Sequence, residues 1–216
     1  SQIDRRETRF ALQQVRDAVG QHVYPVHRLD KPTSGVLLFA LSPAAARALS
    51  AQFSSGQVTK RYLAVVRGHA PATGDIDYPL AEKLDRIADR GRSPDRDPQT
   101  ALTRFRCLAQ VEIPVAVDRY PTTRYSLMEL LPKTGRRHQL RRHMKHIGHP
   151  IIGDAKHGKG VHNRFFQQAY GCHRLLLACM ELSLSHPASG RPLELRAGLD
   201  DAFSQILKTF GWADCV

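Results

Sequence analysis

No stretch of this chain approaches the roughly 18 consecutive apolar residues of a membrane-spanning helix, and Ser1 to Thr8 is too polar to serve as a secretory signal. The two absences together predict a soluble, cytoplasmic protein with no membrane partner. Cysteine is scarce. Cys107, Cys172, Cys179 and Cys215 form no C-x-x-C pair and are too few for a disulfide framework, so they are expected as reduced, mostly buried thiols. Aromatic residues make up only 7% of the chain, too few for a platform of exposed anchors, and no obligate protein partner is evident. Acidic residues are the last deficit: 20 Asp and Glu against 32 Lys and Arg leave a formal charge of +12. A globular protein with that imbalance favours a polyanion, and nucleic acid leads over an anionic membrane surface.

What remains is a chain of 216 residues, 42% hydrophobic, with no internal repeat and no low-complexity tract. That length buries roughly 70% of its unfolded surface without staples. Residues 8–20 place Leu12, Val15 and Val19 at helical spacing, with Gly20 as a stop. The apolar run Val36 to Leu41 predicts a buried strand, and Ser42-Pro43 supplies an N-cap and first-turn pair for a helix to about Phe53. Val58 to Val66, Leu102 to Val111 and Thr123 to Leu131 are further strands, and Gly68 to Gly74 is a turn. From Leu84 to Thr100 apolar residues nearly vanish, which predicts a mobile surface insertion, 84–100, rather than a linker between domains. In Arg137 to Ile147 a helix would bury Leu140, Met144 and Ile147 and display Arg137, Arg141 and Lys145. Leu175 to Leu184 and Leu193 to Arg196 predict a hairpin around Ser189-Gly190, before a closing helix with Phe203, Ile206, Leu207 and Phe210 on one side.

Two segments concentrate groups that could carry chemistry. His27-Arg28-Leu29-Asp30 with Thr33-Ser34-Gly35 sits just before the apolar run, and Thr134-Gly135-Arg136-Arg137-His138-Gln139-Leu140-Arg141 opens the basic helix. The first resembles the H-R-L-D-x-x-T-S-G signature of the RluA family of pseudouridine synthases, and the second its T-G-R-x-H-Q-[IL]-R motif. Lys60-Arg61-Tyr62-Leu63-Ala64-Val65-Val66 is similar to the family's K-x-Y-x-A-x-V strand, and Gly148-His149-Pro150-Ile151-Ile152-Gly153-Asp154 to the segment that follows the third motif. Three less specific stretches, 120–125, 154–158 and 197–201, resemble the tRNA-acting members more than the ribosomal-RNA enzymes.

The resemblance implies an α+β fold, a mainly antiparallel curved sheet flanked by helices with an active cleft across its middle, forming a single catalytic domain over 1–216. It also implies an isomerase that needs no cofactor and no metal. The substrate would be a uridine in the T-stem of tRNA, position 65, with a ribosomal-RNA uridine as the alternative. Asp30 would attack C1′ or C6 or take the C2′ proton, three options the residues leave open. Tyr62 would stack on the uracil and help remove the C5 proton, Arg28 would fill the gap left by the flipped base, and Arg141 would pair with Asp30. Leu140 would pack beneath the base, while Arg136, Arg137, Arg142 and Lys145 would meet phosphates. Members of the family usually begin with an upstream strand and an N-K-P-x-G segment. Neither is present here, and the chain opens on Ser1, so a missing N-terminal strand is expected.

Two rival classes have their own residues. His138, His143, His146 and His149, with Asp154, could form the donor set of a metal-dependent nuclease, although no H-E-x-x-H is present. A catalytically idle RNA-binding protein would need the basic faces but neither Asp30 nor Tyr62.

Overall fold

The computed structural model describes residues 10–81 and 97–216. The chain runs through α1 (Ala11–Val19), β1 (Tyr24–Pro25), β2 (Ser34–Gly35), β3 (Phe39–Ala40), α2 (Pro43–Ser54), β4 (Thr59–Arg67) and β5 (Thr73–Asp77). Then follow β6 (Leu102–Ile113), β7 (Thr123–Pro132), α3 (Gln139–His146), α4 (Gly160–Tyr170), β8 (Leu177–Ser185), β9 (Pro192–Arg196), α5 (Asp201–Thr209) and a final 3-10 turn (Ala213–Cys215). Seven strands form the main sheet in the order β2-β8-β4-β7-β6-β5, with β9 also paired to β8. Only β2 on β8 is parallel; the other pairs are antiparallel. This is the mainly antiparallel α+β architecture expected from the sequence.

Alternation along β4 shows why the sheet sits at the centre. Leu63 and Val65 point into one cluster with Tyr125, Phe166, Phe203 and Ile206, which α4 and α5 cover. Ala64 and Val66 point the other way, into a cluster with Met128, Leu130, Leu140 and Met144, which α3 covers. All four β4 residues are fully buried, so the strand reads as a continuous apolar run because helices cover both faces. A third cluster under α2 gathers Val26, Leu49, Leu182 and Leu184. The pairing of β4 with β8 slips between Arg61 and Tyr62, and that of β6 with β7 between Cys107 and Ala109. Such bulges bend a sheet and re-aim the side chains beside them.

Several sequence expectations need correction. The run 36–41 is not one strand: Ser34–Gly35 pairs with β8, the chain then leaves the sheet, and only Phe39–Ala40 pairs again, with β1. Gly35 explains the break. Its φ of +111° is closed to most side chains, and a Cβ there would stand 2.0 Å from the Cys179 carbonyl oxygen. The helix expected over 8–20 is seen over 11–19, yet none of its residues is buried, and Leu12 and Val19 are 41% and 45% exposed. The turn expected through Gly74 already contains the start of β5. Most of the insertion 84–100 lies outside the described residues; at its base, Gln99 pairs with Leu80 across an antiparallel bridge. No helix among the described residues is long and apolar enough to cross a membrane.

Candidate active site

The loop carrying Asp30 is pinned at both ends. His27 Nε2 accepts the Leu38 amide at 2.9 Å while its ring stacks on Phe53, 4.7 Å between centroids. Burial, reinforced by Lys60, lowers the His27 pKa to about 4, so the ring is neutral and free to accept. The Thr33 amide donates to the Asp30 carbonyl at 2.8 Å, closing a tight turn. Downstream, Arg174 Nη2 donates to Ser34 Oγ at 2.9 Å, and the Val36 amide donates to the Cys179 carbonyl. Arg174 also forms an ion pair with Asp200, the residue whose carboxylate caps α5. These contacts account for the small and polar residues of 33–35: they let the loop lie directly on β8.

The second segment is built around Gln139, which is 4% exposed. Its Oε1 accepts from the Thr134 hydroxyl at 2.7 Å and the Arg136 amide at 2.9 Å. Its Nε2 donates to the Leu102 carbonyl and the Thr103 hydroxyl, both at 3.0 Å. Every polar atom of a buried amide is thereby satisfied, which fixes the start of α3 against β6. The helix begins at Gln139 rather than Arg137 because His138 adopts the left-handed region, φ +54°. It is the single non-glycine residue among those described with a positive φ, and such strain gathers at functional sites.

The two segments meet. Arg141 Nη1 donates to Asp30 Oδ2 at 3.0 Å, across 111 positions of sequence. On its other side Arg141 is held bidentately by Asp154, Nε to Oδ2 at 2.7 Å and Nη2 to Oδ1 at 2.8 Å. Side-chain exposure falls from 18% at Asp30 to 6% at Arg141 and 1% at Asp154. The guanidinium thus bridges a buried carboxylate to one at the rim of the cleft. Burial acts to raise the Asp154 carboxyl, but the Arg141 hydrogen bonds and the His157 and Lys156 amides outweigh it and hold Asp154 below the usual carboxylate range. His138 Nε2 stands 3.8 Å from Asp30 Oδ1, and its Nδ1 shares a 3.0 Å hydrogen bond with His157 Nε2. Burial lowers the His138 pKa; Asp30 opposes this, while Arg141, Arg137 and Lys156 add to it.

Tyr62 follows the β4 bulge and lies opposite Cys179, with its ring packed against both the α3 and α2 clusters. Burial is the main reason its phenol is pushed above the ordinary tyrosine value; Cys179 and the Asp30 charge act in the same direction. Leu140 is buried in the cluster against which Tyr62 packs. Arg28 is exposed two residues before Asp30. Of the basic residues expected at phosphates, Arg136 donates to the Thr100 carbonyl and Arg142 to the Ala81 carbonyl, while Lys145 is exposed on α3. Arg137, His138, Arg142, Lys156 and His157 line a shallow open cleft.

The histidine donor set does not assemble. His143 Nε2 donates to the Tyr78 carbonyl and Nδ1 meets the Thr103 hydroxyl, both at 3.0 Å, while His146 stacks on Tyr78 and His149 Nδ1 bonds the Arg67 carbonyl. Both Asp154 oxygens are engaged by Arg141. Among the described residues no group of three or more His, Cys, Asp or Glu side chains is arranged to hold a metal ion.

Sequence reasoning did not find Asp154 as a partner of Arg141, nor the positioning roles of Gln139, His27 and Arg174. Asp154 had a signal, as the end of the fourth motif; Arg174 lies in no motif at all.

The chain is similar to known proteins in both sequence and fold. Residues 2–146 match the family model described as RNA pseudouridylate synthase. The chain is 58% identical over 212 residues to the tRNA pseudouridine synthase C of Pectobacterium carotovorum subsp. carotovorum, covering 98% of this chain and 56% of that protein. It is 50% identical over 214 residues to the protein of the same name from Vibrio cholerae, covering 99% and 88%. The chain therefore spans about half the length of the first relative and most of the second. Among solved structures, Human RNA Pseudouridylate Synthase Domain Containing 1 superposes with a TM-score of 0.68 at 25% identity, covering 92% of this chain and 84% of that one.

Proposed function

Because this chain belongs to the RNA pseudouridylate synthase family, we propose that it isomerises a uridine of tRNA to pseudouridine, the T-stem uridine at position 65, with Asp30 as the reacting carboxylate. The observation that carries the reading is the Asp30–Arg141–Asp154 chain, an exposed-end carboxylate held by a buried, clamped cation beside a tyrosine ring.

The chemistry asks little beyond these groups. The uracil leaves C1′ through N1, turns, and bonds C1′ again through C5; the C5 proton departs and N1 gains one. No electron is transferred and no water is consumed. Asp30 acts at the sugar–base bond and must be ionised to do so. Arg141 donates to its Oδ2 at 3.0 Å and holds the carboxylate in place. Tyr62 offers a neutral face for stacking, because its surroundings keep the phenol protonated. A protonated phenol can accept at C5 only as it passes its own proton on, which suits a reaction that returns a proton to the base. Leu140 supports the base, Arg28 occupies the space the base vacates, and the cations of α3 and the segments beside it meet phosphates.

A genetic comparison tests the substrate. Pseudouridine maps of RNA from cells with and without the protein should differ at a single tRNA position. A difference confined to ribosomal RNA would move the substrate to that class; identical maps would overturn the reading.

A further inference from the structure

Resting on the reading above, we propose that the cleft lined by Arg137, His138, Arg142, Lys156 and His157 is a binding site for one RNA phosphodiester, a linkage flanking the uridine whose base is processed at Asp30. Three observations converge on this. The described lining of the cleft carries three permanent cations and two imidazoles but no acidic side chain. It is also one imidazole away from the reacting carboxylate: His138 reaches Asp30 with Nε2 and His157, on the cleft side, with Nδ1. A phosphodiester stands one ribose away from the glycosidic bond of its own nucleotide, so a phosphate in this cleft leaves the C1′ end of that sugar within reach of Asp30.

The third observation concerns how the lining is held. Asp154 Oδ1 accepts the amides of Lys156 and His157, both at 2.9 Å, and the Asp154 carbonyl accepts the Gly158 amide at 3.0 Å. A Cβ at Gly158 would stand 2.3 Å from that carbonyl oxygen, so the turn is closed as tightly as glycine permits. The carboxylate that clamps Arg141 for Asp30 therefore also folds the turn that presents Lys156 and His157. One buried anion sets the distance between the reacting group and the phosphate cradle, and such fixed spacing is what positions a nucleotide for reaction.

The test uses the full chain and tRNA transcripts carrying a single neutral methylphosphonate at the linkage 5′ or 3′ of the uridine that the wild-type enzyme converts. In wild type, one of the two substitutions should weaken single-turnover kcat/KM by about tenfold, the loss of one charge-assisted phosphate contact. In Lys156→Ala the unmodified tRNA should already show that loss, and the same methylphosphonate should add little to it. Lys156→Arg should recover most of the sensitivity, and Lys208→Ala, an exposed cation on α5, should behave as wild type. Equal methylphosphonate penalties in wild type and Lys156→Ala, or no penalty at either linkage, would overturn the phosphate site while leaving the enzymatic reading intact. A wild-type protein that converts no uridine in unmodified tRNA would remove that reading and this site with it.

Discussion

Replacing Asp154 by asparagine probes the most buried member of the Asp30–Arg141–Asp154 chain. The side chain is 1% exposed and accepts two charge-assisted bonds from Arg141 and two backbone amides. Asparagine keeps one acceptor oxygen and can retain one or two of the four contacts. It loses the charge, leaving a buried guanidinium whose remaining anion, Asp30, is 18% exposed. Breaking a buried pair by removing one partner costs about 3–5 kcal/mol; with part of the hydrogen bonding kept, about 2–4 kcal/mol is expected. For a chain of this size that corresponds to a fall in Tm of roughly 4–16 °C. A displaced Arg141 also leaves Asp30 poorly oriented, which should lower kcat by about 100-fold and change KM less. Thermal unfolding and single-turnover assays on tRNA read the two effects separately. A variant with wild-type Tm and wild-type kcat would refute the claim that this carboxylate organises the site.

Gly35→Ala should destabilise by about 3 kcal/mol or more, because the new Cβ meets the Cys179 carbonyl at a φ of +111°; urea denaturation measures it, and a neutral result would contradict the close approach of loop and β8. Stability should decline as pH falls below 6.5 toward 4. His27 and His162, each lowered to about 4 in the folded state by burial, stay neutral while the unfolded chain takes up their protons. Their contribution is complete above 6.5 and lost on the acid side, so Tm should drop already between pH 6.5 and 5, and less steeply in His27→Gln. A chelator should leave activity unchanged, since the nitrogens of His143 and the oxygens of Asp154 are committed to protein partners; loss with EDTA and recovery with zinc would revive the metal reading.

How far the sequence discloses this molecule depends on whether a feature is local. Asp30, Tyr62 and Arg141 lie in contiguous motifs, and the strands β4, β6 and β7 carry enough apolar length to be assigned. Little local marks α4, because Lys159 offers no side-chain cap and only His162 and Phe166 of its residues are buried. The run 36–41 looked like a strand because an apolar run has no period of its own; backbone geometry at Gly35 decides otherwise. The apolar spacing of 8–20 predicts an amphipathic helix, and one forms over 11–19, yet Leu12 and Val19 remain exposed. The second partner of Arg141 was invisible for another reason. Asp154 ends the fourth motif, but nothing local assigns it to Arg141, and only the fold brings its carboxylate, the guanidinium and the turn through Lys156 together.

The most direct test of the central claim compares wild type with Asp30→Asn on an unmodified tRNA transcript, reading pseudouridine at single-nucleotide resolution and tRNA binding in parallel. The account predicts conversion of one uridine by wild type and none by the variant. Affinity should stay within a few-fold, since one carboxylate at the cleft rim is altered and the basic surface is not. Conversion by Asp30→Asn at the wild-type rate would contradict it.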